Sequence, residues 1–208
     1  MKRVAIYVCG RGGSAAEAER YRPLLRDCDV LGFEYRATTP WGAREEFAPF
    51  FESTRKECDS LLLIANSLGA YFAMSAEIDR AVDQAFFISP VVDMERLILG
   101  MLARAGFSET ELREKREIAT SFGEPLSWEY LNWTRAHPLQ WRAPTEILVG
   151  ERDELTAPER ATAFANRIGA RLTVMPRGEH WFHTREQLSF LDAWLQDARR
   201  RLDASARR

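Results

Sequence analysis

The sequence has few cysteines and no long apolar segment. Cys9, Cys28 and Cys58 are an odd number without metal-ligand spacing, so we expect free thiols rather than a disulfide framework. No apolar run approaches the roughly 20 residues that a membrane-spanning helix needs. The first residues, MKRVAIYVCG, enter a strand pattern directly and do not have the form of a signal peptide. These features favour a cytoplasmic protein with no membrane partner.

The chain also lacks an excess of charge of either sign. Its 29 Lys and Arg residues nearly balance 31 Asp and Glu residues, for a formal net charge of -2. Proteins that bind nucleic acid are typically basic, so no nucleic-acid partner is expected. The basic stretch ARRRLDASARR is interpreted as a solvated last helical turn, where cations are favourable near the negative end of the helix dipole.

Short apolar runs alternate with helical patterns along most of the chain. Continuous apolar runs of this kind are typical of strands that are buried on both faces of a parallel sheet. Strands that alternate with helices predict an α/β fold, a doubly wound and mostly parallel sheet of about six strands. The predicted strands are 4–9, 30–35, 61–65, 85–89, 145–149 and 171–175.

Between residues 93 and 142, helical patterns follow one another without a predicted strand. A crossover between parallel strands needs only about a dozen residues. We therefore interpret 93–142 as a helical cap, or lid, inserted into a single domain that spans 1–208. It contains three predicted helices; Ser108 and Glu111 form a capping box at the second, and Pro138 ends the third.

The helices outside the insertion also have recognisable starts. Ser14 and Glu17 have capping-box spacing, as do Thr184 and Gln187 before the last helix. The last helix is expected to turn Leu188, Leu191, Trp194 and Leu195 inward.

The stretch LLLIANSLGAYFAM changes from a strand pattern to a helical pattern at Ser67. A serine hydroxyl is a poor nucleophile and needs both an exposed position and a neighbouring base. A sharp strand-to-helix turn provides the exposure, but it requires small residues two before and two after the serine. These are Ala65 and Gly69 here, whereas Ser60 and Ser75 lack such a pair. The alternative role for Ser67 is a helix N-cap.

The segment ANSLG resembles the nucleophile elbow of the α/β-hydrolase family, Gly-x-Ser-x-Gly, with Ala65 in place of the first glycine. The resemblance implies an α/β-hydrolase fold with Ser67 as nucleophile and no metal or organic cofactor. It also implies that an Asp or Glu and then a His follow in chain order. The order of strands and helices extends the resemblance over most of the chain, although three short motifs carry it.

The acid of such a triad is expected after the fifth predicted strand, in LVGERDELTAP. Asp153 lies there at the carboxyl edge of the sheet, where open α/β sheets gather their sites. Glu151 and Glu154 are weaker alternatives. Asp93, which also follows a strand, is another alternative acid, and Asp153 could instead be a loop or capping residue.

The three histidines of the chain differ in their settings. His180 follows the sixth predicted strand in MPRGEHWFHT, which resembles the catalytic-histidine loop of the family. His183 lies at the edge of the final helix, and His137 ends a helix of the insertion, where we expect it to face solvent. In the role implied by the resemblance, His180 is the general base for Ser67, and Asp153 holds the imidazole tautomer.

Acyl transfer also requires hydrogen-bond donors for the oxyanion. The resemblance implies the backbone N–H after the nucleophile, that of Leu68, and a second N–H from the glycine-rich loop after the first strand. In YVCGRGGSAAE this second donor is Arg11, and Cys9 replaces the usual histidine. The spacing of GRGG fits neither a dinucleotide site nor a P-loop, and nothing near Cys9 in sequence marks it as an activated nucleophile.

Apolar and aromatic residues suggest a small, mainly apolar pocket for a small-molecule substrate, although each alone could be core packing. The candidates are Trp41, Met101, Trp128, Trp133 and Trp181. Arg11, Arg152 and Arg177 could bring an anionic group, but surface placement is favoured for each.

These features together predict a serine hydrolase that cleaves a small carboxylic ester through an acyl-serine intermediate. A triad does not select the leaving group, so a serine peptidase, thioesterase, amidase or carbon–carbon hydrolase is an alternative. A non-catalytic binding protein with this fold is a third hypothesis, because Cys9 and Ala65 depart from the family pattern. The sequence does not predict the oligomeric state.

Overall fold

The computed structural model describes residues 1–121, 123 and 125–205 of the chain. It divides into two compact units, one of Met1–Val92 and Gln140–Arg208, and the other of Asp93–Leu139. The predicted insertion ran to residue 142. The first unit resumes earlier because the Trp141 ring packs at a tilt against Phe87, with 5.2 Å between ring centroids, and donates its indole N–H to Thr145 Oγ1 at 2.8 Å.

The strands and helices alternate along the chain. The strands are β1 (Arg3–Val8), β2 (Asp29–Phe33), β3 (Ser60–Asn66), β4 (Gln84–Ile88), β5 (Glu117–Ile118), β6 (Leu126–Ser127), β7 (Thr145–Gly150) and β8 (Arg171–Met175). The α-helices are α1 (Pro40–Lys56), α2 (Ser67–Ser75), α3 (Met94–Arg104), α4 (Glu109–Lys115), α5 (Trp128–Ala136), α6 (Pro158–Ile168) and α7 (Arg185–Ser205), with 3₁₀ segments at Ala15–Tyr21 and Ile78–Arg80.

Six parallel strands form the main sheet in the order β2-β1-β3-β4-β7-β8, which confirms the predicted fold class. The chain runs outward from β1 to β2 and then returns to the other side of β1 as β3. The order therefore reverses between β1 and β3. Open α/β sheets form a crevice at such a point, outside the carboxyl ends of the strands.

Both faces of the sheet are covered by apolar side chains. On one face, Leu191, Trp194 and Leu195 of α7 pack with Tyr7 and Ile64. These α7 residues are buried as predicted, whereas Leu188 is half-buried. On the other face, a cluster of aromatic rings joins α1 and α2 to the end of β2: Phe33, Tyr35, Phe47, Phe51 and Phe72.

Two predicted helix starts differ in detail from the structure. Ser14 and Glu17 form the expected capping box, but the segment that they open is a 3₁₀ helix. At α7, the N–H of Gln187 donates to Thr184 Oγ1 at 3.2 Å, while the Gln187 side chain accepts from the N–H of His183 at 3.1 Å rather than from that of Thr184.

The interpretation of the basic C-terminal stretch as merely solvated is wrong for two arginines. Arg201 makes a two-point contact with the buried carboxylate of Glu146, at 2.9 and 2.8 Å. Arg199 pairs with Asp27, and this contact holds the carboxyl pKa of Asp27 below its usual value. Both pairs anchor α7 to the rest of the first unit. Within the described part of the chain, no helix is long and apolar enough to cross a membrane.

The second unit contains α3, α4 and α5, and the capping box of Ser108 and Glu111 opens α4 as predicted. The expectation that this segment has no strand is wrong, because β5 and β6 pair antiparallel as a short ladder. Strands of two residues each are too short to give a sequence periodicity. Arg135 joins α5 to the other helices through Glu95 at 2.7 Å and Glu109 at 2.6 Å.

Candidate active site

Ser67, His180 and Asp153 meet at the carboxyl edge of the main sheet. The hydroxyl Oγ of Ser67 lies 2.8 Å from Nε2 of His180, and Nδ1 of His180 lies 2.9 Å from each carboxylate oxygen of Asp153. A carboxylate only accepts hydrogen bonds, so Nδ1 carries the hydrogen and Nε2 accepts from the serine hydroxyl. All three residues are at least nine-tenths buried.

Ser67 has the strained backbone of a sharp strand-to-helix turn. Its φ is 47°, in the left-handed region that non-glycine residues seldom occupy. Asn66 is the residue in the N-cap position of α2, with extended backbone, and the Ser67 side chain is directed to His180. The N-cap role for Ser67 is therefore excluded, and the turn presents its hydroxyl to the imidazole.

The structure explains why the two small residues of the elbow are not equivalent. A Cβ on Gly69 would lie 2.2 Å from the carbonyl oxygen of Cys9 and 2.9 Å from that of Val8, so no side chain fits there. Ala65 is the last interior residue of β3, opposite Val8 of β1 and Phe87 of β4, and its methyl group is buried without displacing backbone. The Ala-x-Ser-x-Gly departure is accommodated because only the second position requires glycine.

The loops that carry Asp153 and His180 are bonded to each other. The N–H of Arg152 donates to the carbonyl of Gly178 at 2.8 Å, and that of Glu151 donates to Met175 at 2.9 Å. A Cβ on Gly150 would lie 2.4 Å from the carbonyl of Gly178, so glycine permits this close approach. The pairing of the two loops fixes the imidazole over the carboxylate.

The carboxylate of Asp153 is also held by its own loop. Its Oδ1 accepts from the N–H of Leu155 at 2.9 Å and from that of Thr156 at 2.7 Å. The Thr156 hydroxyl donates to the carbonyl of Pro90 at 3.0 Å and ties this loop to the end of β4. Sequence reasoning did not identify Thr156, because a threonine after an acidic loop carries no distinctive signal.

The glycine-rich loop after β1 lies directly against the elbow. A Cβ on Gly10 would be 3.1 Å from Cβ of Ser67. Residues 10–13 form a turn closed by a 3.2 Å hydrogen bond from the Gly13 N–H to the Gly10 carbonyl, with Gly12 at a φ of 74°. Arg11 occupies this turn, while Leu68 follows Ser67 as the second residue of α2. Their N–H groups remain the predicted oxyanion donors.

Cys9, which replaces the usual histidine, is held through its backbone. Its carbonyl accepts from the Tyr35 hydroxyl at 2.9 Å. Burial raises the pKa of the Cys9 thiol, which opposes thiolate formation. Cys9 is therefore packed as part of the loop and is not activated as a nucleophile.

A buried tyrosine and a glutamate support the same loop from the side of the sheet. The Tyr7 hydroxyl donates to Oε2 of Glu17 at 2.5 Å, and Oε1 of Glu17 accepts from the N–H of Ser14 at 3.1 Å. Burial raises the pKa of Tyr7, so the phenol stays protonated and acts as the donor. No sequence signal linked these two residues.

A cavity of about 540 Å³ opens beside the triad at the carboxyl ends of β1, β3 and β4, and we call it the side cavity. It is lined by Tyr7, Gly10, Arg11, Gly12, Gly13, Glu17, Arg20, Tyr21, Asn66, Ile88, Trp181, Phe182, His183, Leu188 and Leu191. Of the predicted pocket residues, Trp181 is in this lining and its ring meets that of His180 edge-on. Trp41 is not one of the described residues that line the side cavity. It lies half-buried in the first turn of α1.

The remaining pocket candidates belong to the second unit. Met101 lies on α3, and Trp128 and Trp133 lie on α5; all three are half-buried. Their role in substrate binding stays a prediction. The three arginines considered for an anionic group, Arg11, Arg152 and Arg177, are exposed, as favoured from the sequence.

The alternative acids have other positions. Asp93 caps α3 by accepting from the N–H of Arg96 at 3.1 Å. Glu151 accepts from the N–H of Arg177 at 2.7 Å, and Glu154 is exposed.

The other two histidines also have local partners. His183 contacts the carbonyl of Trp181 through Nδ1 at 2.7 Å. His137 is exposed as expected and stacks on Trp133, with 4.3 Å between ring centroids.

Comparison with known proteins gives matches at the level of structure. No family model matches the sequence, and no curated protein matches it. Est1E from Butyrivibrio proteoclasticus aligns with a TM-score of 0.81 at 16% identity, covering 98% of this chain and 89% of that chain. Alpha/beta hydrolase domain-containing protein 10 from mouse gives 0.73 at 18% identity, covering 95% and 90%.

A third structure, described as an α/β serine hydrolase without lid from Xanthomonas campestris, gives a TM-score of 0.62 at 19% identity and covers 97% of this chain and 83% of that chain. These similar structures include proteins described as hydrolases. The order of the strands, the elbow at Ser67 and these alignments agree, and the chain has the α/β-hydrolase fold.

Proposed function

We propose that the protein is a serine hydrolase that cleaves a small carboxylic ester through an acyl-serine intermediate. The observation that carries the proposal is the 2.8 Å contact between Ser67 Oγ and His180 Nε2. Both residues are buried, and Ser67 lies on a strained turn. Strain of this kind persists where the surrounding structure enforces it, and it is concentrated at functional sites. The fold shared with known hydrolases supports the same activity.

In acylation, Nε2 of His180 takes the hydroxyl proton of Ser67 while Oγ attacks the ester carbonyl carbon. The carbonyl electron pair moves to oxygen, and the negative charge is placed between the N–H groups of Leu68 and Arg11. When the carbonyl re-forms, the bond to the alkoxy group breaks, and this group leaves with the proton from His180. Asp153 stabilises the imidazolium that exists between these two proton transfers.

In deacylation, water replaces the alcohol. His180 takes a proton from water, the hydroxide attacks the acyl carbon, and the bond to Ser67 Oγ breaks as Oγ regains the proton. The products are a carboxylic acid and the free enzyme. Every proton passes through Nε2, so the chemistry needs no group beyond these side chains and backbone donors.

A panel of small esters tests the proposal directly. The Ser67→Ala variant should lose at least about 1,000-fold in kcat for the best ester of the panel, because the nucleophile is removed. Ser75→Ala is a matched control, since Ser75 is a buried serine on the same helix, and it should keep the wild-type rate. Full activity of Ser67→Ala would overturn the mechanism.

The same triad can serve other leaving groups, so the panel should include thioesters, amides and peptides of equal acyl length. A faster reaction with one of these would replace the ester in the proposal and keep its mechanism. The role of Asp93–Leu139 as a cap and the cytoplasmic location stay predictions.

A further inference from the structure

The side cavity borders residues next to Ser67 and His180. Asn66, which lines it, precedes Ser67, and Trp181, which also lines it, follows His180. Gly10 also borders the cavity, and a Cβ built on Gly10 would lie 3.1 Å from Cβ of Ser67. A substrate bound at Ser67 therefore has one of its arms within reach of this space. The volume of about 540 Å³ lies in the range of small-molecule sites.

The deeper lining of the side cavity is apolar. Leu191, Ile88 and Tyr21 are buried, and Phe182 and Leu188 are half-buried beside them. They come from α7, from β4, from the 3₁₀ segment Ala15–Tyr21 and from the loop after β8, which are elements fixed by the core. Removing an apolar group from water into such a space is favourable by up to about 0.8 kcal/mol per methylene, or about fourfold in an equilibrium constant.

The charged side chains Glu17 and Arg20 of the lining have partners within the protein. Glu17 accepts from Tyr7 at 2.5 Å, and Arg20 donates to the carbonyl of Leu188 at 2.9 Å and to Asp192 at 2.5 Å.

His183 has the backbone partner described above, and the Arg11 side chain is exposed, where an ion pair contributes little. A charged substrate arm would lose its hydration in this cavity without an equivalent partner.

We propose that the side cavity is a substrate subsite for one arm of the ester, and that this arm is uncharged and mainly apolar. The inference rests on the proposed function and adds the substrate class to it. The arm is an alkyl or aryl group, and it belongs to either the acyl group or the alcohol group of the ester. An apolar arm from either group would make the same kind of contact in the cavity.

Two homologous ester series distinguish an acyl arm from an alcohol arm. One is p-nitrophenyl acetate to octanoate, in which the acyl arm grows, and the other is methyl to octyl acetate, in which the alcohol arm grows. In one series kcat/KM should rise by up to about fourfold per methylene until the cavity is filled, and it should stay nearly flat in the other. A terminal carboxylate on the longest arm should abolish the gain.

Substitution of Leu188 tests whether the gain comes from this cavity. Leu188→Trp should reduce kcat/KM for the longest preferred ester by about tenfold or more relative to kcat/KM for the acetate. Leu188→Ala, which removes volume and does not risk overpacking, should extend the preferred chain length. Leu202→Trp is the matched control, since Leu202 is a half-buried leucine of α7 outside the described lining.

The outcomes distinguish this inference from the proposed function. Ester hydrolysis that depends on Ser67 but shows no chain-length gain, or a gain unchanged in both Leu188 variants, would overturn the subsite alone. If no ester is cleaved, n-alkylboronic acids of the same lengths should protect Ser67 from a fluorophosphonate probe, and the protection should increase with alkyl length by the same factor per methylene. Equal protection by all lengths would overturn the subsite. Failure of the probe to label Ser67 in the folded protein would refute the proposed function and the inference with it.

Discussion

The contact between the elbow and the glycine-rich loop gives a quantitative prediction for Gly69→Ala. The added methyl carbon would lie 2.2 Å from the Cys9 carbonyl oxygen, whereas ordinary contacts begin near 3.4 Å. Backbone on one side must therefore move by about 1 Å, and overpacking of this severity costs about 3 kcal/mol. Alanine recovers up to about 1 kcal/mol through its helix propensity. We expect a net loss of about 2 to 3 kcal/mol in the free energy of unfolding.

Urea denaturation followed by circular dichroism measures this loss. Gly100→Ala is the control, because a Cβ on Gly100, within α3, meets nothing within 4 Å and should stabilise the protein by about 0.5 to 1 kcal/mol. The displaced Cys9 carbonyl would also weaken the bond from Tyr35 and move the predicted oxyanion donor, so kcat should fall by about 100-fold. Wild-type stability and rate in Gly69→Ala would refute the packing argument.

Three further substitutions test other contacts. Asp153→Asn should lower kcat by about 10,000-fold because the imidazole would take the wrong tautomer; a loss below tenfold would assign the acid elsewhere. Arg201→Ala should cost about 3 kcal/mol in urea denaturation, since it leaves the buried Glu146 carboxylate unpaired, and an unchanged midpoint would contradict this. The hydrogen bond from Arg199 lowers the pKa of Asp27 in the folded protein, so the pair stabilises the fold at pH values above the unfolded pKa near 3.8. This stabilisation decreases as the pH falls below 3.8 toward the lower folded pKa. Asp27→Asn should therefore destabilise the protein at pH 7 more than at pH 3, and equal losses at both would argue against the pairing.

The parts of the fold that follow a simple periodicity were predictable from the sequence. The buried strands β1, β3, β4 and β7 are continuous apolar runs, and such runs are placed well by hydrophobicity alone. The short strands β5 and β6 have two residues each and are held by a few backbone bonds, so no pattern could mark them.

The position of the candidate site was predictable because the candidate residues are few and their settings differ. Ser67 has small residues at the required spacing where a strand pattern changes to a helical pattern, and His180 lies in the loop between the sixth predicted strand and the last helix. Their 2.8 Å contact depends on loops that are far apart in sequence.

The supporting contacts were not predictable, because they join residues without a shared motif. The bond from Tyr7 to Glu17 and the pair of Arg201 with Glu146 arise from the way the elements pack. The side cavity has the same origin, since its lining comes from several separate elements.

The most direct test of the account is covalent labelling of the purified protein with a fluorophosphonate probe, with the adduct located by mass spectrometry. The account predicts one adduct, on Ser67, that is absent in Ser67→Ala and at least about 100-fold slower to form in His180→Ala. Labelling of Ser67 at the same rate without His180, or no labelling of the folded wild-type protein, would contradict the claim that this serine is activated for catalysis.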